Sequence, residues 1–364
     1  MLKLMLFSWV PFVCLIVSAQ GVDKQDYLGL SWKNVATKMP EEWYASAEAK
    51  KVAENVLFCQ QDVGGWAKNK PYHHPLSAKD SADVIKLRPG IGATIDNGAT
   101  TMEMNFLAKV YSLQKDERYF KAFNKAFDYL LEAQYDNGGW PQFYPFRTGK
   151  SVDYAAHITY NDNAMVNVLV LLREISIEGK PFGSLPLPAE MRDKARKAYE
   201  IGIDCILKTQ IRVNGQPTVW CAQHDEKTLL PANARAYELA SFSGAESVGI
   251  VQLLMEINNP SAEIKQAVVS AMKWLDEHKI AGIKVENKPG DDGKKNMVVV
   301  SDPNAPPLLA RFYDLETGKP FFCDRDGVKK SSMAEIGDER RNGYSWYSNG
   351  FEGLQKKYEK WVGK

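Results

Sequence analysis

Several things are scarce in this sequence, and each scarcity excludes something. Cysteine is one: there are five, and with Cys14 set in the opening apolar stretch, Cys59, Cys205, Cys221 and Cys323 remain. No two of them have metal-ligand spacing, and so few in so long a chain do not make a disulfide scaffold, so they are expected to stay unpaired. An excess of one charge is missing too. Lysine and arginine number 46 against 45 acidic residues, a formal charge of +1 with the signs mixed. The absence of a basic stripe argues against a nucleic-acid partner and for a small or polymeric one, uncharged or recognised locally. After residue 20 no stretch stays apolar for the roughly 18 residues a spanning helix needs, so the mature chain is expected to hold no stable membrane association. No linker composition divides the chain and no oligomer signal is visible, so one domain and a monomer are expected.

What is present begins with Met1, Leu2, Lys3 and the run LMLFSWVPFVCLIVSAQG. One positive charge ahead of an apolar stretch that ends at Val17, Ser18 and Ala19 is the pattern of an export signal over residues 1–20, cut near Ala19 or Gln20. An uncleaved anchor is the alternative; Pro11 and the small-residue end favour cleavage. The mature chain, residues 21–364, is therefore expected to be secreted or periplasmic.

Three stretches resemble one another: AENVLFCQQDVGGWAKN from Ala53, AFDYLLEAQYDNGGWPQF from Ala126 and GIDCILKTQIRVNGQPTVW from Gly202. Aligning Gln61, Gln134 and Gln210 gives spacings of 73 and 76 residues, an internal repeat. Each copy has apolar residues at helical intervals, then a glycine-containing turn, then an aromatic residue. Further helices are expected from Ala99, from Asn163, and from Gly244 continuing through EIKQAVVSAMKWLDEHK. Strand patterns are few, chiefly KNMVVV and IKVE. Helix pairs repeated in this way bury their apolar faces best by closing into a toroid, so the fold class is mainly α: a toroid, or incomplete α/α barrel, of three helix-pair repeats with a loop-rich C-terminal segment covering one end. Aromatic residues at 11%, with nine tryptophans, suit either core packing or stacking on sugar rings.

In such a toroid the segments leading into the inner helices gather at one mouth. GATIDNGATT with Asp96, ITYNDNAM with Asp162, and NARAYELASFSGAES with Arg235 and Glu238 are read as holding equivalent places there. The ordinary reading of Asp96, Asn161, Asp162 and Asn163 is helix capping, with Asn161 or Asn163 satisfying free backbone donors. The surplus of oxygen donors also suits a hard cation such as calcium. Arg235, Arg311 and Arg325, with Lys68 after Gly-Gly-Trp, read singly as surface or ion-pairing residues, and together as a set fitted to a carboxylate-rich substrate. His157 and His224 are candidates for general-base work, against the plainer reading of structural histidines.

The motifs NGGWPQFYP, HITYNDNAMVNVL, ARAYEL with SGAES, and ARFYDLETGKPFFCDRDG occur in order between about Trp66 and Phe351, and in this the chain resembles the family-ten pectate lyases. The resemblance implies an (α/α)3 toroid and a single catalytic domain over residues 21–364. It also implies calcium-dependent cleavage of polygalacturonate, the backbone of pectin, by β-elimination. It assigns Arg235 as the base that takes the C5 proton, Asp96 and Asp162 to calcium and substrate, and either Arg311 or Arg325 to a substrate carboxylate; the residues themselves add Asn161 to the calcium set and Lys68 to the substrate set. Two alternatives stay open: a toroid glycoside hydrolase using Asp96 and Asp162 as acid and base, and a non-catalytic uronate-binding protein.

Overall fold

The computed structural model describes residues 26–149, 152–290, 293 and 295–363; the expected export signal, residues 1–20, lies outside them. Its helices are α1 (Trp32–Lys38), α2 (Ala47–Cys59), α3 (Ala78–Leu87), α4 (Thr101–Gln114), α5 (Glu117–Ala133), α6 (Ala164–Ser176), α7 (Ala189–Thr209), α8 (Glu246–Met255), α9 (Ala262–His278), α10 (Asp338–Gly343) and α11 (Gly350–Val362). They form a mainly-α toroid in which α4, α6 and α8 line the inside, each paired with an outer helix, α5, α7 and α9 respectively. The inner helices are apolar nearly all round: α6 buries Ala164, Met165, Val166, Val168, Leu169, Leu171, Leu172 and Ile175, as a helix packed on several sides must.

The repeat has a physical basis in how the outer helices stop. α2, α5 and α7 each end at a glutamine with extended backbone: Gln60, Gln134 and Gln210. Each glutamine amide donates to two carbonyls, one in its own turn and one in the next outer helix. These are Gly64 and Ala122 for Gln60 (2.7 and 2.8 Å), Gly138 and Ala198 for Gln134 (3.1 and 2.9 Å), and Thr218 and Ala267 for Gln210 (2.8 and 3.0 Å). The tryptophan after each turn is fully buried, and its indole N–H returns to the carbonyl four residues before that glutamine, Trp66 to Val56, Trp140 to Leu130 and Trp220 to Ile206. These tryptophans are packing residues, and none is a sugar platform. The repeat glutamine of the first copy is thus Gln60, not Gln61. In the Gln60-Gln61 doublet only the first sits at the helix end where its amide reaches both carbonyls.

One other expectation changes. The single long helix from Gly244 is two, α8 and α9, because Asn259 takes a left-handed φ of 51° ahead of Pro260, and the Ser261 hydroxyl then caps α9. The IKVE and KNMVVV stretches are strands, as their pattern indicates, and pair as an antiparallel hairpin, Ile283–Pro289 with Lys295–Ser301. Tyr237, Phe312, Phe321, Phe322, Cys323, Met333, Ile336 and Trp346 form a second small core beside the main one. The four cysteines of the described residues are free.

Candidate active site

Three backbone hydrogen bonds align the repeats at the mouth. The N–H groups of Thr94, Thr159 and Ser243 donate to the carbonyls of Trp66, Trp140 and Trp220 at 3.1, 3.1 and 2.7 Å. Counting on from these residues, Asp96 corresponds to Asn161, and Asn97 to Asp162; Asn97 and Asp162 share the left-handed conformation, with φ of 53° and 51°. In the third repeat the inner helix begins sooner, and the residue three on from Ser243 is Glu246, already the first of α8. Asp96 and Asp162 therefore stand one residue apart in their turns, and Arg235 enters from a different loop. The three segments meet, but not at equivalent positions.

Neither aspartate turn is held by a side-chain cap. No side-chain cap bond forms at the turn Asn161–Asn163 or at the start of α6, where Asn163 is itself left-handed with φ of 60°. The expected cap by Asn161 or Asn163 is absent because both side chains are turned to other partners. Asn161 Nδ2 donates to Asp162 Oδ2 at 2.8 Å, and Asn161 Oδ1 accepts from Arg311 Nη2 at 2.8 Å; Asn163 packs against Gly249. The Asp162 carboxylate is 41% exposed.

Asp96 is the opposite case. Its carboxylate is buried, paired with the Lys68 ammonium and accepting from Gln142 Nε2 at 2.8 Å and the Asn97 N–H at 3.0 Å. Lys68, about a third exposed, lies over the Phe143 ring. Arg311 is buried and donates through Nη2 to Asn161, to Asp162 Oδ1 (3.3 Å) and to Glu246 Oε1 (2.9 Å). Its guanidinium packs on the Tyr344 ring at 4.7 Å.

Tyr344 links this cluster to Arg235. Its hydroxyl donates to Glu238 Oε1 at 2.7 Å, and Glu238 accepts from Arg235 Nε and Nη2 at 2.8 and 2.6 Å. This bidentate pair raises the Arg235 pKa above the ordinary arginine value, with burial acting the other way. Arg235, Arg325 and Arg340 all lie against the Tyr237 ring, at 4.8, 5.4 and 4.2 Å. Arg325 is largely exposed and paired with Glu339. Tyr154 joins the two halves: burial raises its hydroxyl pKa, and its electrostatic neighbours are Arg235, Glu238, Tyr237 and Asp96.

The histidines fall outside this chain of contacts. His224 is fully buried, with Nε2 accepting from the Cys221 N–H and Nδ1 facing the Leu229 carbonyl, and burial pushes its pKa down to about 4; it is structural. His157 faces Glu226 at 3.1 Å, and with Asp225 and Glu226 it places donor atoms within 4.8 Å of one another. Tyr154, Tyr344, Gln142 and Glu246 were not named from the sequence. An isolated tyrosine or glutamine carries no motif, and Glu246 reads there as an ordinary first-turn acid of a helix.

For calcium, the donors at the mouth are of the right chemistry, all oxygen: the Asp162 carboxylate and the side-chain carbonyl of Asn161, with Asp96 behind them. Calcium takes roughly six to eight oxygens. The exposed Asp162 suits an ion completed by water and substrate, while Asp96 already has Lys68 as its counter-charge.

A toroid of helix pairs with an arginine- and carboxylate-lined mouth defines a class, and the sequence match names it: the chain belongs to the pectic acid lyase family, whose model matches residues 60–354, and it is a pectate lyase. Among solved structures it is similar to the family 10 polysaccharide lyase from Cellvibrio cellulosa, with 36% identity over 90% of this chain and 94% of that one and a TM-score of 0.76. It is equally similar to a mutant of that lyase in complex with trigalacturonic acid, with 35% identity over 90% and 95% of the two chains and a TM-score of 0.76. No curated protein matches.

Proposed function

We propose that the protein cleaves α-1,4-polygalacturonate by calcium-dependent β-elimination, with Arg235 as the base. The observation that carries this reading is the unbroken run of contacts from Asp162 through Arg311, Tyr344 and Glu238 to Arg235. It gathers a half-exposed carboxylate and several guanidiniums at one mouth. A neighbouring structure's complex with trigalacturonic acid supports the substrate class.

In this mechanism neutral Arg235 takes the C5 proton of a galacturonate. The electron pair forms the C4–C5 double bond, the C4–O bond breaks, and the leaving glycosidic oxygen acquires a proton. Exposed cations, Arg325 foremost, hold uronate carboxylates and oppose the charge that develops as C5 loses its proton. Asp162 and Asn161, with Asp96 behind them, would hold calcium, which would supply further positive charge against a substrate carboxylate. Glu238 keeps Arg235 protonated at rest, so the base form is favoured by alkaline conditions. The chain is further proposed to be exported by the signal expected over residues 1–20, to meet its polymer outside the cell, and to act there as a monomer.

The test is absorbance in the ultraviolet during incubation with polygalacturonate, with and without a chelator. Elimination gives an unsaturated, absorbing product and hydrolysis does not. A calcium-dependent rise is expected; new reducing ends without absorbance would replace the lyase reading with the hydrolase one. Arg235→Ala is expected to abolish the rise while leaving polymer binding near normal.

A further inference from the structure

Glu246 has no part in the mechanism above, yet it is a carboxylate buried to 3% side-chain exposure at the mouth, at the start of the third inner helix, α8. Its surroundings fix it on both sides. The Ser243 hydroxyl donates to Oε2, and Arg311 Nη2 donates to Oε1 at 2.9 Å. Backbone pairing of Phe242 and Ser243 with Phe312 and Tyr313 sets Ser243 and Arg311 in register. The same Arg311 nitrogen donates to Asn161 Oδ1 at 2.8 Å and Asp162 Oδ1 at 3.3 Å. One guanidinium thus serves two carboxylates from two different repeats.

The division between them is unequal for a physical reason. Glu246 and Arg311 are both buried, where Coulombic attraction is strong; Asp162 is 41% exposed, where water screens it. Arg311 is held closer by Glu246, at 2.9 Å, than by Asp162, at 3.3 Å, and the Asp162 carboxylate stays open to water.

We propose that Glu246 is a positioning residue for the cation site: as the buried counter-ion of Arg311 it prevents that guanidinium from neutralising Asp162 and leaves Asp162 anionic toward calcium. The proposal rests on the reading of Asp162 as a calcium ligand.

The experiment is a double-mutant cycle with calcium affinity as its readout, measured by calorimetry on purified protein and, separately, as the calcium half-saturation of elimination. Glu246→Gln keeps shape and hydrogen bond and removes the charge. It is expected to weaken calcium binding about tenfold, in the range for loss of an outer-shell partner, with kcat at saturating calcium within about twofold of wild type. The double variant E246Q/R311Q removes the competing guanidinium as well, and is expected to return calcium affinity to within about threefold of wild type. A merely structural Glu246 would not give that rescue. An E246Q protein that binds calcium as wild type does, or a double variant no better than E246Q, overturns the proposal. If E246Q does not fold, the double variant decides, since removing both charges leaves neither buried alone; binding tenfold weaker than wild type then overturns it. A wild-type protein that neither binds calcium nor needs it would sink the underlying reading of the site, whereas normal wild-type binding with an unmoved E246Q sinks this proposal alone.

Discussion

In the proposed mechanism Glu238 sets when Arg235 can act as the base. Its carboxylate grips two guanidinium nitrogens and raises the Arg235 pKa, so it opposes formation of the neutral base. Glu238→Gln keeps an acceptor and removes the charge. The rising limb of kcat/KM against pH is expected to move to lower pH in E238Q; an unmoved limb would separate that limb from Arg235. A second carboxylate, far from this pair in role, sets stability. Glu103 is fully buried against the Trp32 indole N–H at 2.6 Å, and burial raises its pKa from 4.5 to about 7. A raised acid pKa costs stability wherever the unfolded chain is ionised and the folded one is not. Stability is therefore lost as pH rises from about 4.5 to about 7 and stays lower above it. Glu103→Gln is expected to be more stable than wild type in alkaline buffer by on the order of 2 kcal/mol, seen as a higher unfolding temperature, and to show little gain at acid pH. Neither effect was legible in the sequence. Arg235 and Glu238 were visible there as a pair in one motif, but the strength of their coupling depends on Tyr344, more than a hundred residues on.

At the scale of the helix pair, the repeat was legible while the register of the turns at the mouth was not. Apolar spacing and the Gly-Trp turns marked where helices end, because those signals are local. The choice between Gln60 and Gln61 is carried by the spacing to Gly-Gly-Trp, which is the same from Gln60 and from Gln134, whereas the counterpart of Asp162 follows from the backbone bonds of Thr94 and Thr159 to the two tryptophan carbonyls. The capping signal at Asn161 failed because Arg311, from the C-terminal segment, claims its oxygen. The turns themselves differ in what they tolerate. At Gly138 φ is 92° and an added Cβ would meet the Ile201 carbonyl oxygen at 2.1 Å, whereas at Gly215, with φ of 79°, it would meet nothing within 4 Å. Gly215→Ala pays only backbone strain, about 1 kcal/mol. Gly138→Ala adds a clash with the backbone of α7 and is expected to cost several kcal/mol more, or to prevent folding. Urea denaturation of the two variants checks the difference; equal losses would mean that the Gln134 turn does not dock on α7 as tightly as its geometry indicates.

Over the whole molecule the charges nearly cancel, at +1, so long-range steering of a polyanion is weak and recognition has to be local. The mouth supplies that local field with Arg235, Arg325 and Arg340 around Tyr237. Sequence pattern left Arg311 and Arg325 as equal candidates for the substrate carboxylate; their burial separates them. Arg311 side-chain exposure is 8%, and its Nη2 already serves two carboxylates and an amide, whereas Arg325 is 65% exposed and held by one surface glutamate, Glu339. Such an exposed pair is weak and readily exchanged for another carboxylate. Arg325→Ala is therefore expected to raise KM for polygalacturonate about tenfold with a smaller change in kcat, the loss of a single charged contact to a carboxylate. Salt provides the independent check. Added sodium chloride screens exposed charges at this range and is expected to raise the wild-type KM, while R325A, already lacking the exposed cation, responds less. If R325A keeps the wild-type KM and its full salt dependence, the substrate carboxylates are held by other cations of the mouth, and Lys68, partly exposed beside Asp96, becomes the next residue to test in the same assay.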